Sequence, residues 1–393
     1  MSFKTAVSPS ILDNDFYKFT MQNAVIKLFP YAKAQYRFIN RGEHPFPEKF
    51  AIHLRQAIDQ MADLQLSQKE KDFLQETCPY LDPTYLDFLQ GYRYDPAEVV
   101  VEQNGTDVSV IIEGYWYRTI LWEVPVMALI SELYYQLTGQ ERENDVKVIE
   151  KVQTKVKKYK ELGIQFADFG TRRRHSLAVQ DLVVRTLQEK GKGTFIGTSN
   201  VYLAMKYDTK PIGTHAHEWF MFHAAKYGYK MANVMGLEHW VDVYRGDLGI
   251  ALTDTFTTEV FFDQFDKKFA KLFDGVRHDS GDAIEFGEKT IAHYKKLGIN
   301  PLTKTIIFSD GLNYEKVERI ASHFKGKIGL SFGIGTSLTN DVGLQPMNIV
   351  IKMIKALPEE KRWTGVIKLS DEPQKHTGKE EDIELSKRLL QIK

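Results

Sequence analysis

Downstream of residue 163 the chain alternates between short apolar runs and longer stretches whose apolar residues recur every three or four positions. Each run ends in a compact polar tip: FADFGTRRR (166–174), TFIGTSN (194–200), PIGTHAHEW (211–219), LGIALTDTF (248–256), FDGVRHDSGD (273–282), TIIFSDGL (305–312) and IGLSFGIGT (328–336). Short apolar runs bounded by turn residues suit buried strands, and the longer period suits helices with one face on a core. Val179, Leu182, Val183 and Leu187, for example, share one helical face. This alternation predicts an α/β fold of parallel strands joined by crossover helices. Seven polar tips favour a (β/α) barrel, whose loops converge on one mouth, over an open doubly wound sheet.

The first 140 residues read differently. Asp13 is placed to cap a helix running to about Leu28, ahead of Pro30, and AKAQYRFINR (32–41) has strand character. Two β-rich runs flank Asn104-Gly105, a hairpin signal. A helical pattern starts at Leu121, with Pro125 marking a kink or a first turn. The next helix places Ile149, Val152, Val156 and Tyr159 on one face. The tail from Met347 reads as strand, loop, strand and final helix, returning to the N-terminal portion. The expected division is a mixed α+β domain from residues 1–140 joined by the tail (about 355–393), and a barrel domain over 141–354.

Charge narrows the partners. The 52 basic and 52 acidic side chains cancel, which disfavours nucleic acid but permits a local cluster for a small anion. The single cysteine, Cys78, excludes an internal disulfide and reads as a reduced cytoplasmic thiol. The stretch MSFKTAVSPSILDNDFYKF lacks an apolar signal core, and no run of about 18 apolar residues occurs, so no membrane partner is expected.

Four tips carry candidate chemistry. In Gly333-Ile334-Gly335-Thr336, glycines let backbone amides approach a phosphate and Thr336 adds a hydroxyl; Ser309-Asp310-Gly311 lies one unit earlier. In Arg277-His278-Asp279-Ser280-Gly281-Asp282, the arginine offers a planar fork to an anion, and two aspartates suit ribose hydroxyls or a Mg²⁺-diphosphate. A turn with Asx caps explains the same residues without a ligand. In Asp168-Phe169-Gly170-Thr171-Arg172-Arg173-Arg174, an aromatic face beside three arginines fits a planar aromatic acid, with at least one arginine left for structure. His215 and His217 share a side only if their segment is extended, and no third zinc ligand stands nearby. His217 is either a satisfied structural histidine or a nucleophilic imidazole held by an unidentified acceptor.

Taken together and in order, DNDFYKFTM, LWEVPV, DFGTRRR, GTSN, AHEW, LTDTF, RHDSGD, SDGL, SFGIGT and KLSD resemble the nicotinate phosphoribosyltransferase family across nearly the whole chain. The resemblance implies an irregular α/β barrel with a mixed second domain, and a homodimer with active sites at the subunit interface. It implies ATP-dependent transfer of phosphoribose from phosphoribosyl pyrophosphate to nicotinate in NAD salvage, with Mg²⁺ accompanying the diphosphate and ATP as co-substrate. By that resemblance His217 would be phosphorylated, Tyr17 would enter the partner's site and Phe169 would stack on the pyridine ring. Arg172 and Arg277 would meet the acid and the phosphates, with Thr171 beside them. Asp279, Ser280 and Asp282 would serve ribose and magnesium diphosphate. Ser309, Gly333, Gly335 and Thr336 would hold the 5′-phosphate. Ser199 stands where the nicotinamide-using relative has an aspartate, and a serine there can donate to a carboxylate. The alternatives are a quinolinate phosphoribosyltransferase, which needs no ATP, and a non-catalytic nucleotide-sensing barrel.

Overall fold

The computed structural model describes residues 8–360 and 362–392; the first seven residues of the N-terminal stretch read above lie outside them. In chain order the strands are β1 (Lys33–Asn40), β2 (Val99–Asn104), β3 (Asp107–Tyr115), β4 (Gln165–Asp168), β5 (Phe195–Thr198), β6 (Arg245–Leu248), β7 (Ile250–Leu252), β8 (Gly275–His278), β9 (Thr305–Phe308), β10 (Gly329–Ile334), β11 (Ile349–Leu357) and β12 (Thr364–Gly365). They form a five-stranded antiparallel sheet, β12-β11-β1-β3-β2, and a six-stranded parallel sheet, β5-β4-β10-β9-β8-β7, with β6 outside both.

The chain therefore has a mixed α/β fold with a parallel sheet in which the last strand, β10, lies beside the first, β4. No closed barrel forms among the described residues: β5 and β7 are the edges of the sheet, and the run at 211–219, expected to add a strand, adds none. That run makes one bridge, Pro211 to Thr198, and then reaches β7 through the Thr214 hydroxyl, which donates to Ile250 O (3.1 Å). Proline has no N–H for a ladder. The segment instead packs against the helix Phe16–Leu28: Thr20 Oγ1 donates to Thr214 O, and a Cβ on Gly213 would lie 2.9 Å from Tyr17 N. This packing brings Tyr17 to the strand tips.

Several local expectations shift for identifiable reasons. The first helix starts at Phe16 rather than just after Asp13, because the Asp13 carboxylate is drawn into a buried pair with Arg174 (Nη1–Oδ1 2.6 Å, Nη2–Oδ2 2.8 Å) and accepts from Asn200 Nδ2 (2.8 Å). The hairpin turn falls on Gly105-Thr106, one residue later than expected, with Gly105 at φ +58° and Asn104 paired to Asp107. Pro125 sits in the first turn of the helix Glu123–Thr138, where its missing N–H costs nothing. The helix Asp145–Leu162 buries Val148, Val152, Val156 and Tyr159, and Ile149 is half-buried. The helix Leu177–Lys190 buries Val179, Leu182, Val183 and Leu187.

The tail returns as read, but earlier. β11 begins at Ile349 and pairs along the length of β1, and the helix Glu380–Leu390 ends the described chain. This return seats the antiparallel sheet over the mouth of the parallel strands. No helix among the described residues is long and apolar enough to cross a membrane.

Candidate active site

A cavity of about 350 Å³ opens between the carboxyl tips of the parallel strands and the antiparallel sheet. The tips contribute Phe169, Arg172 and Arg173 after β4, Ser199 after β5, Arg277 and Asp279 at β8, Ser309 and Gly311 after β9, and Gly333, Gly335 and Thr336 at β10. Tyr17, Tyr36 of β1, His217 at the start of the helix His217–Tyr227, and Lys352 of β11 complete the wall. Residues dispersed from 15 to 353 therefore meet in one place, because parallel crossovers put every tip on the same side.

Positive charge is prominent there and much of it lacks a direct partner. Arg277 Nε is buried without a hydrogen-bond acceptor, a costly arrangement unless an anion completes it. Arg172 is held at arm's length, its Nε 3.7 Å from Asp15 Oδ2 and its Nη1 3.7 Å from Glu123 Oε1, with the guanidinium 5.9 Å from the centre of the Tyr17 ring. Burial, with Arg172 and Arg41 nearby, pushes Arg173 down to about 10. Burial also takes Lys352 down to about 8, with Lys368 and Arg172 adding to the shift and Glu123 opposing it. Arg174 is the structural member of the triple arginine: it is buried against Asp13 and Gln180 and does not reach the cavity.

His217 is 7% exposed and lies in a polar cage. Its Nδ1 is 3.1 Å from Thr255 Oγ1; Nε2 is 3.0 Å from Asp279 Oδ2 and accepts from Lys368 Nζ at 2.9 Å. Burial, and next the Lys368 charge, lower its pKa to about 4, so the ring is neutral near pH 7. A neutral imidazole keeps a lone pair for a phosphoryl group. Thr255 answers the question of what orients the ring. His217, Asp254 and Asp279 each place one ligand atom within 4.8 Å of the others. Lys368 already supplies positive charge at that point, bonding both His217 and Asp254 (3.1 Å). His215 does not join the site; it is buried against Phe220 and Trp240 at ring-centre distances of 5.1 and 4.8 Å, which ends the two-histidine metal reading.

Three expected contacts lie outside the cavity. Asp282 caps the helix Ala283–Lys296 through Ile284 N (2.8 Å) and Glu285 N (2.9 Å) and faces Arg319, whereas the turn alternative rests on Asp279 and Gly281. Asp282→Ala is accordingly expected to cost about 1 kcal/mol in chemical unfolding while leaving kcat/KM as it was; a large kinetic loss would return Asp282 to the site. Ser280 is buried and donates to Asp254 Oδ2 (2.6 Å), bracing the cage from behind. Thr171 is buried and accepts from Gln180 Nε2 (3.1 Å).

Other residues line the cavity in a different capacity from the expected one. The Ser199 hydroxyl donates to Asp15 Oδ1 (2.7 Å), so its proton is already committed. Gly333 lies inside β10 and makes room for the Phe169 ring, since a Cβ there would sit 2.5 Å from Phe169 Cδ2. Ser309 donates to Asp279 Oδ1 (2.8 Å) and orients it. Tyr17 lines the cavity of its own chain, beside Phe16, whose N donates to Ser199 O (2.7 Å).

Sequence reasoning assigned no role to Asp15, Lys18, Glu123, Glu218, Asp254, Thr255, Lys352 or Lys368. Asp15 and Lys18 lie in DNDFYKFTM, Glu123 in LWEVPV, Glu218 in AHEW, Asp254 and Thr255 in LTDTF, and Lys368 opens KLSD, so motif membership pointed at all of these except Lys352. Lys352 sits on the half-exposed face of a β11 strand whose alternation reads as an ordinary solvent side.

Fold and cavity together define an α/β protein with a site for a small, multiply charged anion beside a flat ring. Comparison with known proteins is specific. A model of the nicotinate phosphoribosyltransferase (NAPRTase) family matches residues 164–392, and one of the NAPRTase N-terminal domain matches 12–131. A nicotinate phosphoribosyltransferase of Chromohalobacter salexigens is 63% identical over 98% of both chains, and one of Desulforapulum autotrophicum is 50% identical over 95% of this chain and 96% of its own. The crystal structure of nicotinate phosphoribosyltransferase from Porphyromonas gingivalis superposes with a TM-score of 0.96 at 47% identity, covering 98% of this chain and 100% of that one. The chain belongs to the nicotinate phosphoribosyltransferase family.

Proposed function

We propose that this chain joins nicotinate to phosphoribosyl pyrophosphate, giving nicotinate mononucleotide and pyrophosphate in NAD salvage, and that ATP drives the transfer through a phosphohistidine at His217. The observation that carries this reading is that Arg277, whose buried Nε has no acceptor in the protein, lines the same cavity as Phe169 and the neutral His217.

The pyridine nitrogen attacks C1 of the ribose, and the bond from C1 to the pyrophosphate oxygen breaks with its electron pair leaving on pyrophosphate. Such a step needs alignment and charge stabilisation more than covalent help from the protein. Phe169 and Tyr17 supply flat faces for the ring, Arg172 meets its carboxylate, and Arg277 meets the phosphates. With Ser199 committed to Asp15, recognition of the acid falls to the arginines. The turn at Gly335-Thr336 is the candidate seat of the 5′-phosphate. Asp279, the acid of its tip that faces the cavity, would hold a Mg²⁺ ion accompanying the diphosphate, which would supply charge neutralisation, as suits an ion that takes few protein ligands.

A homodimer, a cytoplasmic setting and an irregular barrel interrupted between β5 and β7 belong to the same proposal. A particle of twice 45.3 kDa in sedimentation checks the first. The deciding assay follows pyrophosphate and ADP from nicotinate and phosphoribosyl pyrophosphate, with and without ATP. Absence of pyrophosphate release sinks the reading, and CO₂ released from quinolinate would replace it. Tyr17→Phe keeps the ring face and loses only the hydroxyl, so KM for nicotinate is expected to change by less than about tenfold.

A further inference from the structure

The cavity wall presents a difficulty for any anionic substrate: Asp15, Glu123 and Glu218 all line it. Glu123 is the critical one, because it stands 3.7 Å from Arg172 Nη1, close enough to close into a direct pair and consume that guanidinium. It does not close. Lys18, fully buried, sits between the two glutamates, 2.6 Å from Glu123 Oε2 and in direct contact with Glu218 Oε1. Tyr36 donates to the other oxygen of Glu218.

We propose that Lys18 is a positioning residue that sets the preference for an acid over its neutral amide, by drawing Glu123 away from Arg172 so that the guanidinium stays open to a ligand carboxylate. The inference rests on nicotinate as the substrate. An ammonium is a compact point charge that holds two carboxylates from one place, whereas a guanidinium suits a planar, two-point grip on a ligand acid. Lys18 cannot touch the ligand itself, since it is buried beneath the wall; it acts through Glu123. Without it, the cations left near Glu123 are Arg172, whose Nη1 is already 3.7 Å away, and Lys352, and the buried carboxylate turns to the guanidinium beside it.

The test uses the full-length protein, Lys18→Met and the double variant Lys18→Met/Glu123→Gln. Nicotinate and nicotinamide are compared both in kcat/KM and in direct binding. Lys18→Met is expected to lower the nicotinate-to-nicotinamide ratio on the order of 10- to 100-fold, mostly through KM, and the added Glu123→Gln to restore it. A general packing defect would depress both ligands alike and would not be rescued by removing a second charge. A folded Lys18→Met that keeps the wild-type ratio overturns the proposal. If that variant does not fold, Glu123→Gln alone decides: a ratio equal to or above wild type supports the proposal, and a lower one ends it. A crystal structure of Lys18→Met separates this inference from the assignment of the substrate. Closure of Glu123 onto Arg172 upholds the role of Lys18 whatever the ligand proves to be, and Glu123 remaining 3.7 Å or more away removes it.

Discussion

Arg277→Ala is expected to lower kcat/KM for phosphoribosyl pyrophosphate by roughly 2–5 kcal/mol of transition-state binding, a loss of more than tenfold and up to several thousandfold. The magnitude follows from where the guanidinium stands. Its Nε is buried without an acceptor, so the folded protein carries the desolvation cost before substrate arrives, and the ionic contact recovers it when an anion enters. The strand beneath should survive the change, because β8 is held by main-chain pairing with β7 and β9, and Thr253 bonds the Arg277 carbonyl rather than its side chain. Unfolding should therefore shift little while the kinetic constant collapses. Arg277→Lys is expected to recover only part of the loss, since a point charge cannot reproduce a two-point grip. A catalytic efficiency within threefold or so of wild type would remove Arg277 from the phosphate site.

How much of this was legible in the sequence depends on the kind of signal. Periodicity exposed the helices and six of the seven parallel runs, because burial on one face leaves a mark at every third or fourth residue. The run at 211–219 has the same texture, yet it yields one bridge only; the helix it packs against, Phe16–Leu28, lies almost 200 residues earlier. No local pattern reports such a partner. Asp13 illustrates the same limit. Its position is that of a helix cap, and only the fold reveals that Arg174 competes for the carboxylate.

The site divides similarly. Polar tips announced Arg277, Asp279, His217 and Phe169, since so many charged groups after a buried strand exceed what a turn requires. Asp282 sits in that same cluster, but its oxygen is committed to capping amides two and three residues on. Gly333 was read for its backbone and matters for its missing Cβ, which admits the Phe169 ring. The lysines that temper the cavity, Lys18, Lys352 and Lys368, come from a helix and a tail outside the parallel sheet. Lys18 and Lys368 fall inside the quoted motifs, but nothing local shows which acids they meet, and Lys352 resembles any lysine on the solvent side of a strand. Their role emerges from distances to acids hundreds of residues away.

His217→Ala should abolish ATP hydrolysis while leaving slow, ATP-independent formation of nicotinate mononucleotide. The ring is neutral and oriented at both nitrogens, Nδ1 by Thr255 and Nε2 by the Lys368 ammonium. Alanine keeps the start of the helix and removes the phosphoryl acceptor, so ADP production should fall to background. The phosphate and ring contacts lie on other tips and remain to support residual transfer. Phosphorylation adds about −1.5 to −2 charge by analogy with other phosphorylated side chains, in a place where Lys368 is already buried to receive it. In the wild type, pH offers a second check. With a folded pKa near 4 rather than the ordinary 6.5, the imidazole stays unprotonated through that interval, whereas an unfolded chain binds a proton there. The ring's availability should therefore persist at pH 6.5 and decline only as pH falls toward 4, whereas its contribution to stability is full above about 6.5 and is lost progressively between 6.5 and 4. An ADP-forming rate that halves near pH 6.5, or a His217→Ala variant still fully stimulated by ATP, would place the phosphoryl acceptor elsewhere.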